Sequence, residues 1–292
     1  MRFEIVTIFP GFFTSIFEHG IVGRALAEGL AAVEIHDLRA YTHDRHRTVD
    51  DRPFGGGEGM VLKPEPLAEA LAALGVAPNA RGTGFNPYIQ ETVKEGASAP
   101  EGIQPSPRSR VILLSAQGRP FTQSIARELT RLDRIVLLCG RYEGVDERIN
   151  ELFCDMELSI GDYVLTGGEL PAAVVVDAVL RLIPGALGNQ ASAAFESFGA
   201  ADAEIAADLQ GSPRSQHGSG GLLDYPHYTR PAEFAGLRVP EVLMNGDHAQ
   251  IRRWRREQQL RKTLLNRPDL LQNAELSAED RHVLDAIRGE LP

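Results

Sequence analysis

The sequence predicts an α/β protein built on a parallel sheet, followed by a small all-helical C-terminal domain. Three observations lead there. Short runs rich in Ile, Val and Leu recur between segments of helical spacing, the alternation that builds parallel sheets. Between Cys139 and Pro171, glycine-bearing turns follow short apolar stretches. Residues 223–292 lack such runs and carry helical periodicity and caps instead. At 292 residues the chain suits one large domain or two ordinary ones.

In chain order, Arg2–Phe9 is a strand, and Pro10-Gly11 turns into a helix over Phe13–His19, with a second helical piece over Ile21–Leu30. Val33–Leu38 is the next strand. A polar stretch, Tyr41–Pro53, ends in the glycine run Phe54–Met60. It matches neither a Walker loop, which needs Gly-Lys-Ser/Thr, nor a dinucleotide fingerprint. Its density of Arg, His and Asp favours binding over spacing. Pro64–Leu74 is a helix with Leu67, Ala70, Leu71 and Leu74 on one side. Residues 75–109 are rich in Gly, Pro and Ser and read as a mobile insertion. The sheet resumes at Arg110–Ser115, Ala116–Pro120 is a turn, Thr122–Leu132 a helix and Arg134–Cys139 a strand. A further short strand is expected at Tyr163–Leu165, then a helix over Pro171–Ile183, with Pro171 at its first position. Residues 188–222 form a linker with a second insertion, 199–221. In the last domain a helix begins at Asp247, a good N-cap with Gln250 three residues on. Ile251, Trp254, Leu260 and Leu264 form its buried side, with the clustered arginines mostly outside. The final helix starts at Ser277.

Composition narrows the function. No apolar run approaches the 18 or so residues that span a membrane, and the N-terminus reads as a strand without a signal-peptide cleavage site. The two cysteines, Cys139 and Cys154, have no metal-ligand spacing, which suits a reduced, cytoplasmic protein. The net charge of −10 argues against a nucleic-acid partner, yet global charge says little about a local surface, and basic residues cluster in Arg39–Arg52 and in Ile251–Lys262, which reads IRRWRREQQLRK. That run is either a solvated helix face or a phosphate-binding one.

In open parallel sheets ligands sit beyond the carboxyl ends of the strands. Here those ends are Ser115, Cys139 and Leu165, where the glycine turns begin. Glycine lacks Cβ and lets backbone approach a ligand closely, although the same turns also serve ordinary strand-to-helix connections.

The segments GRYEGVDER, SIGDYVLTGGELP, RLIPG, DYPHYTRP and HAQIRRWR, with THDRHRTVDDRPFGGGEGM before them, closely resemble the bacterial tRNA (guanine-N1)-methyltransferase family of the SPOUT superfamily. The resemblance covers nearly the whole chain apart from residues 75–108 and 199–221. It implies a deep trefoil knot at the C-terminal side of a methyltransferase domain, residues 1–187, and a tRNA-binding helical domain, residues 223–292. It implies a homodimer with the site at the subunit interface, and methylation of the guanosine just 3′ of the anticodon. S-adenosylmethionine would be the donor, held around Leu114, Gly140, Tyr142, Glu143, Ile160, Gly161, Asp162, Tyr163, Val164 and Leu165, with Gly167, Gly168 and Pro171 lining the pocket. Glu143 would lie near the methionine end or a Mg²⁺; a salt bridge to Arg141 or Arg148 is its structural alternative.

The reaction sets further requirements. N1 of neutral guanine carries a proton, so a general base must remove it, and charge then grows on O6, which a cation should stabilise. The family's cation matches Arg181 of RLIPG, where a helix pair with Asp177 is the alternative role. The family's usual Asp before Ser-Phe is replaced by Glu196, of nearly the same intrinsic pKa but one methylene longer. Asp202, Glu204 and Asp208 are reserves for that role. Glu58 departs from the family's glycine loop as well. A knotted enzyme acting on a ribose hydroxyl would keep the glycine turns but lack THDRHRTVDD and PHYTRP. A non-catalytic RNA-binding module draws support only from the Asp-to-Glu change.

Overall fold

The computed structural model describes residues 1–79, 108–189, 192–199 and 218–290. Most of the insertion at 75–109, and Asp202, Glu204 and Asp208, lie outside these residues. The chain divides into two compact units, Met1–Ala186 and Leu187–Pro292.

The first unit is a five-stranded parallel sheet in the order β2-β1-β6-β5-β7. Its strands are β1 (Arg2–Thr7), β2 (Ala32–Asp37), β5 (Ser109–Pro120), β6 (Arg134–Cys139) and β7 (Met156–Ser159). The short strands β3 (Asp50–Asp51) and β4 (Val61–Leu62) pair with each other. Alternate side chains of a strand point to opposite faces, so each central strand feeds two cores. On one face Phe3, Ile5, Ile112, Leu114, Ile135 and Leu137 pack under α1 (Gly20–Ala27), α3 (Gln123–Leu129) and α5 (Glu169–Leu180). On the other, Val6, Val111, Leu113, Val136 and Leu138 meet α2 (Pro64–Ala73) and α4 (Glu147–Phe153). The α/β class is as expected.

Several local expectations are corrected. The segment after Pro10 is a 3-10 turn, Pro10–Phe13, followed by irregular chain up to α1; Phe13 is buried and stacks on Phe17 at 5.5 Å, packing that holds the segment without a continuous helix. Residues 116–120 continue β5 instead of turning: the ladder to β7 slips between Leu114 and Arg119, a bulge that carries the strand onward. The expected strand at Tyr163–Leu165 is absent, and the fifth strand is Met156–Ser159; Tyr163 N–H closes a tight turn onto the Gly161 carbonyl at 2.9 Å. Pro171 occupies the third position of α5, still within the first turn, where no intrahelical N–H partner is lost.

In the second unit, α6 (Ser192–Phe195) is followed by a two-stranded hairpin, β8 (Glu233–Phe234) and β9 (Leu237–Arg238), a β element in a domain expected to be all-helical. The two long helices are α7 (His248–Asn266) and α8 (Ala278–Glu290), around a core of Leu222, Leu260, Leu284 and Ile287. Asp247 caps α7 as anticipated, its carboxylate accepting from the N–H groups of Ala249 and Gln250 at 2.9 and 3.0 Å. Ser277 and Asp280 form a reciprocal cap on α8. Among the described residues no helix is long and apolar enough to cross a membrane.

Candidate functional site

At the carboxyl rim of the sheet, chain segments distant in sequence meet backbone to backbone. Gly168 N–H donates to the Gly140 carbonyl at 2.9 Å, and Arg141 bridges Gly167 in antiparallel fashion. A Cβ on Gly168 would lie 2.6 Å from Cys139 Cα, so only glycine lets the turn that opens α5 approach the end of β6 this closely. The Leu114 carbonyl lies 3.3 Å from where a Cβ of Gly140 would stand. Leu114, Gly140, Gly167, Gly168 and buried Pro171 are therefore gathered at one place.

The second glycine turn is joined to the end of β5. Phe121 N–H donates to the Ser159 carbonyl at 2.7 Å, and Ser159 Oγ donates to the Gly161 carbonyl at 3.0 Å. Gly161 has φ +154°, and the Tyr163 ring fills the space a side chain there would need. Tyr163 Oη reaches back to the Ile160 carbonyl at 3.2 Å. Asp162, Tyr163, Val164 and Leu165 are exposed, Val164 at 86%. Tyr142, with φ +59°, is half exposed.

Glu143 connects the rim to the polar glycine loop. Its N–H donates to the Met60 carbonyl at 3.0 Å, and its side chain packs on Gly59. Leu62 N–H bonds to the Gly144 carbonyl and Asp146 N–H to the Leu62 carbonyl, both at 3.0 Å. The salt-bridge alternative for Glu143 fails among the described residues. Arg141 pairs with Glu169, and Arg148 pairs with Asp146, whose carboxyl it holds below the ordinary carboxylate range. Glu143 also belongs to no cluster of three metal-ligating side chains there; the one such group is Glu4, Glu34 and His36, in which Glu4 is already held by Arg134.

Sequence reasoning missed a buried network at this rim. The Glu169 carboxylate accepts from Arg141 Nε at 3.0 Å and from Thr7 Oγ1 at 2.7 Å. Burial, and then the Glu169 charge, push the Cys139 thiol well above its ordinary value, against the opposing effect of Arg141. Burial likewise pushes Cys154 up to about 12, so both sulfurs are inert thiols. Glu169 opens a mostly apolar helix, and its partners are remote in sequence, so no local pattern signals the network.

Arg181 caps the C-terminus of α5, half-buried, its N–H bonded to the Asp177 carbonyl at 3.1 Å. Glu196 is half-buried just after α6, its carbonyl accepting from Gly199 N–H at 2.9 Å. On α7 the arginines divide in a way the charge run did not reveal. Arg256 is turned inward and pairs with Asp280 at 2.7 Å, and Arg255 lies 4.7 Å over the Tyr225 ring. Arg253 is exposed and Arg252 half-buried. Trp254 is half-buried against Tyr228, ring centroids 6.4 Å apart.

These features define an α/β protein whose main-chain turns gather at the carboxyl edge of a parallel sheet, the edge where such sheets take ligands. The family model described as tRNA (Guanine-1)-methyltransferase TrmD matches residues 1–273. The tRNA (guanine-N(1)-)-methyltransferase of Koribacter versatilis is 54% identical over 288 residues, covering 99% of this chain and 98% of the relative. Relatives of the same name from Heliobacterium modesticaldum and Dictyoglomus turgidum are 45% and 44% identical, over 99% and 100% of this chain and 91% and 98% of their own. The chain belongs to the TrmD family of tRNA (guanine-1)-methyltransferases.

Proposed function

We propose that this enzyme transfers a methyl group from S-adenosylmethionine to N1 of the guanosine immediately 3′ of the anticodon, position 37 of tRNA. The observation that carries the reading is the rim itself: the turns at Gly140 and Gly167-Gly168 meet main chain to main chain beside Leu114, an approach that a Cβ on Gly168 would block. That suits a donor recognised by main chain, so the residues present fit the group. Ile160, Gly161, Asp162, Tyr163, Val164 and Leu165 form the second wall, and Tyr142 and Glu143 the mouth. When bound, the donor supplies a methyl already activated by a positive sulfur, so no covalent enzyme intermediate is needed.

The chain's own task is to make N1 nucleophilic. The Glu196 carboxylate takes the N1 proton, and the pair left behind delocalises toward O6. Arg181 stabilises that developing charge. The guanosine is flipped or splayed out so that N1 is reachable. Arg252 and Arg253 hold tRNA phosphates.

The same reading assigns residues 1–187 to a knotted methyltransferase domain, 188–222 to a linker and 223–292 to tRNA binding. Support for the knot comes from the close main-chain approach of the turn at Gly167-Gly168 to the end of β6 at Cys139-Gly140. The functional unit is a homodimer with the site at its interface. Its support is the exposed apolar surface of Leu170 and Val174 on α5, with Phe12 and Ile16 near the 3-10 turn that packs on that helix.

A paired assay tests the reading. Labelled donor and a tRNA transcript carrying guanosine 3′ of the anticodon should give incorporation, and adenosine at that position should abolish it. Equal incorporation into both transcripts would refute the site assignment.

A further inference from the structure

Glu169 is a buried carboxylate that the proposed chemistry leaves unused. It stands at the first position of α5 and is 1% exposed. Its Oε2 accepts from Arg141 Nε at 3.0 Å and lies 2.8 Å from Arg141 Nη2, while Oε1 accepts from Thr7 Oγ1 at 2.7 Å. Arg141 Nη1 donates to the Thr166 carbonyl at 3.0 Å, and the guanidinium lies 4.6 Å over the Phe9 ring. One carboxylate thereby ties together the end of β1, the turn after β6 and the turn that opens α5.

We propose that Glu169 is a charge-balancing positioning residue for the methyl donor: it neutralises Arg141 at the rim and holds the two donor-binding turns in register. The proposal rests on the assignment of the rim as the S-adenosylmethionine site and adds the reason a carboxylate is needed there. The Arg141 side chain is only 17% exposed, so solvent screens its charge weakly. Without Glu169 that charge would stand uncompensated beside the seat of a cationic sulfur, and like charges in a partly dry site repel. A staple serving geometry alone would not distinguish a sulfonium ligand from a neutral one.

The test exploits a pair of ligands that differ by one methyl and one charge. S-adenosylmethionine carries the sulfonium; S-adenosylhomocysteine is the neutral thioether with the same adenosine and amino-acid ends. Affinities of the full-length chain for both are measured by titration calorimetry. Glu169→Gln is expected to shift the affinity ratio against the sulfonium by about tenfold, and Arg141→Met to shift it the other way. The double variant, neutral like the native pair, should return the ratio to within about twofold of the parent, in line with the tolerance of paired neutral replacements. Thr7→Val, which removes the hydroxyl's bond to Glu169 and the one it accepts from Phe9 N–H but no charge, should weaken both ligands equally. If Glu169→Gln does not fold, Arg141→Met and the double variant still decide. Unchanged ratios in the charge variants, or shifts of one sign in both, would overturn the proposal while leaving the donor site standing. A parent protein that binds neither ligand would overturn the donor site and this proposal together.

Discussion

The N–H of Gly168 donates to the carbonyl of Gly140 across 2.9 Å, joining the turn that opens one helix to the turn that ends the central strand. The contact exists because position 168 has no side chain: a Cβ there would stand 2.6 Å from Cys139 Cα, a backbone atom that cannot step aside. Gly168→Ala should therefore cost about 1–3 kcal/mol of stability, as overpacking typically does. It should also weaken donor affinity by at least about tenfold, since separating the turns spoils the main-chain cradle. Thermal unfolding and calorimetry check the two effects. Donor binding at the parent's affinity would place the cofactor elsewhere.

Arg181 and Glu196 should separate binding from chemistry. Arg181→Ala is expected to retain donor binding while the methylation rate falls by about 10²–10³, the usual loss for a group that stabilises developing charge. Glu196→Gln should retain both ligands and lose about 10²–10⁴ in rate, with Glu196→Asp recovering part of it. Single-turnover rates at saturating donor and tRNA make the measurement. Near-parental turnover in either non-acidic or non-cationic variant would remove that residue from the mechanism.

The strand at Arg134–Cys139 was legible because an apolar run has few other uses, Arg2–Thr7 because its Phe, Ile and Val alternate loosely at strand spacing, and the Asp247 cap because capping is local chemistry. Met156–Ser159 was not, since Glu157 breaks its apolar run and takes a hydrogen bond from Asn150 instead. Candidate donor residues were recognised from the family motif, and the structure brings Leu114, Gly140, Gly167 and Gly168 together. The Thr7–Glu169–Arg141 network went unread because its members are far apart in sequence and none has a local signature. The inward turn of Arg256 was hidden for the same reason: its partner, Asp280, lies on another helix.

That pair gives the second unit an acid-sensitive lock. Burial raises the Asp280 carboxyl, but hydrogen bonds from Arg256 and from Ser277 N–H outweigh it, and its pKa lies below the ordinary value. A carboxyl lowered by folding contributes stability above the unfolded value of about 3.9, and that contribution disappears as pH falls through the lower folded value. Asp280→Asn should therefore lower stability near neutral pH and flatten its decline in acid. Urea unfolding at a series of pH values reads both; parallel curves for parent and variant would show that the pair is not the source. Removing one partner of such a buried pair costs about 3–5 kcal/mol, so Asp280→Ala should be severely destabilised.

Arg252 and Arg253 carry the proposed phosphate contact of α7, whereas Arg255 lies over Tyr225 and Arg256 pairs with Asp280. Arg252→Ala with Arg253→Ala should weaken tRNA binding at low salt. It should also reduce the slope of log affinity against log salt by about 1.5. Filter binding across a salt series measures it, and an unchanged slope would move the tRNA contact to another surface.

The central claim is that this chain methylates guanine N1 at one place in tRNA with S-adenosylmethionine as donor. The most direct measurement is mass mapping of methylated nucleosides in unmodified tRNA incubated with the protein and isotope-labelled donor. The account predicts labelled 1-methylguanosine in the fragment immediately 3′ of the anticodon and label nowhere else. Label on a ribose hydroxyl, at another guanosine, or on no nucleoside at all would contradict it.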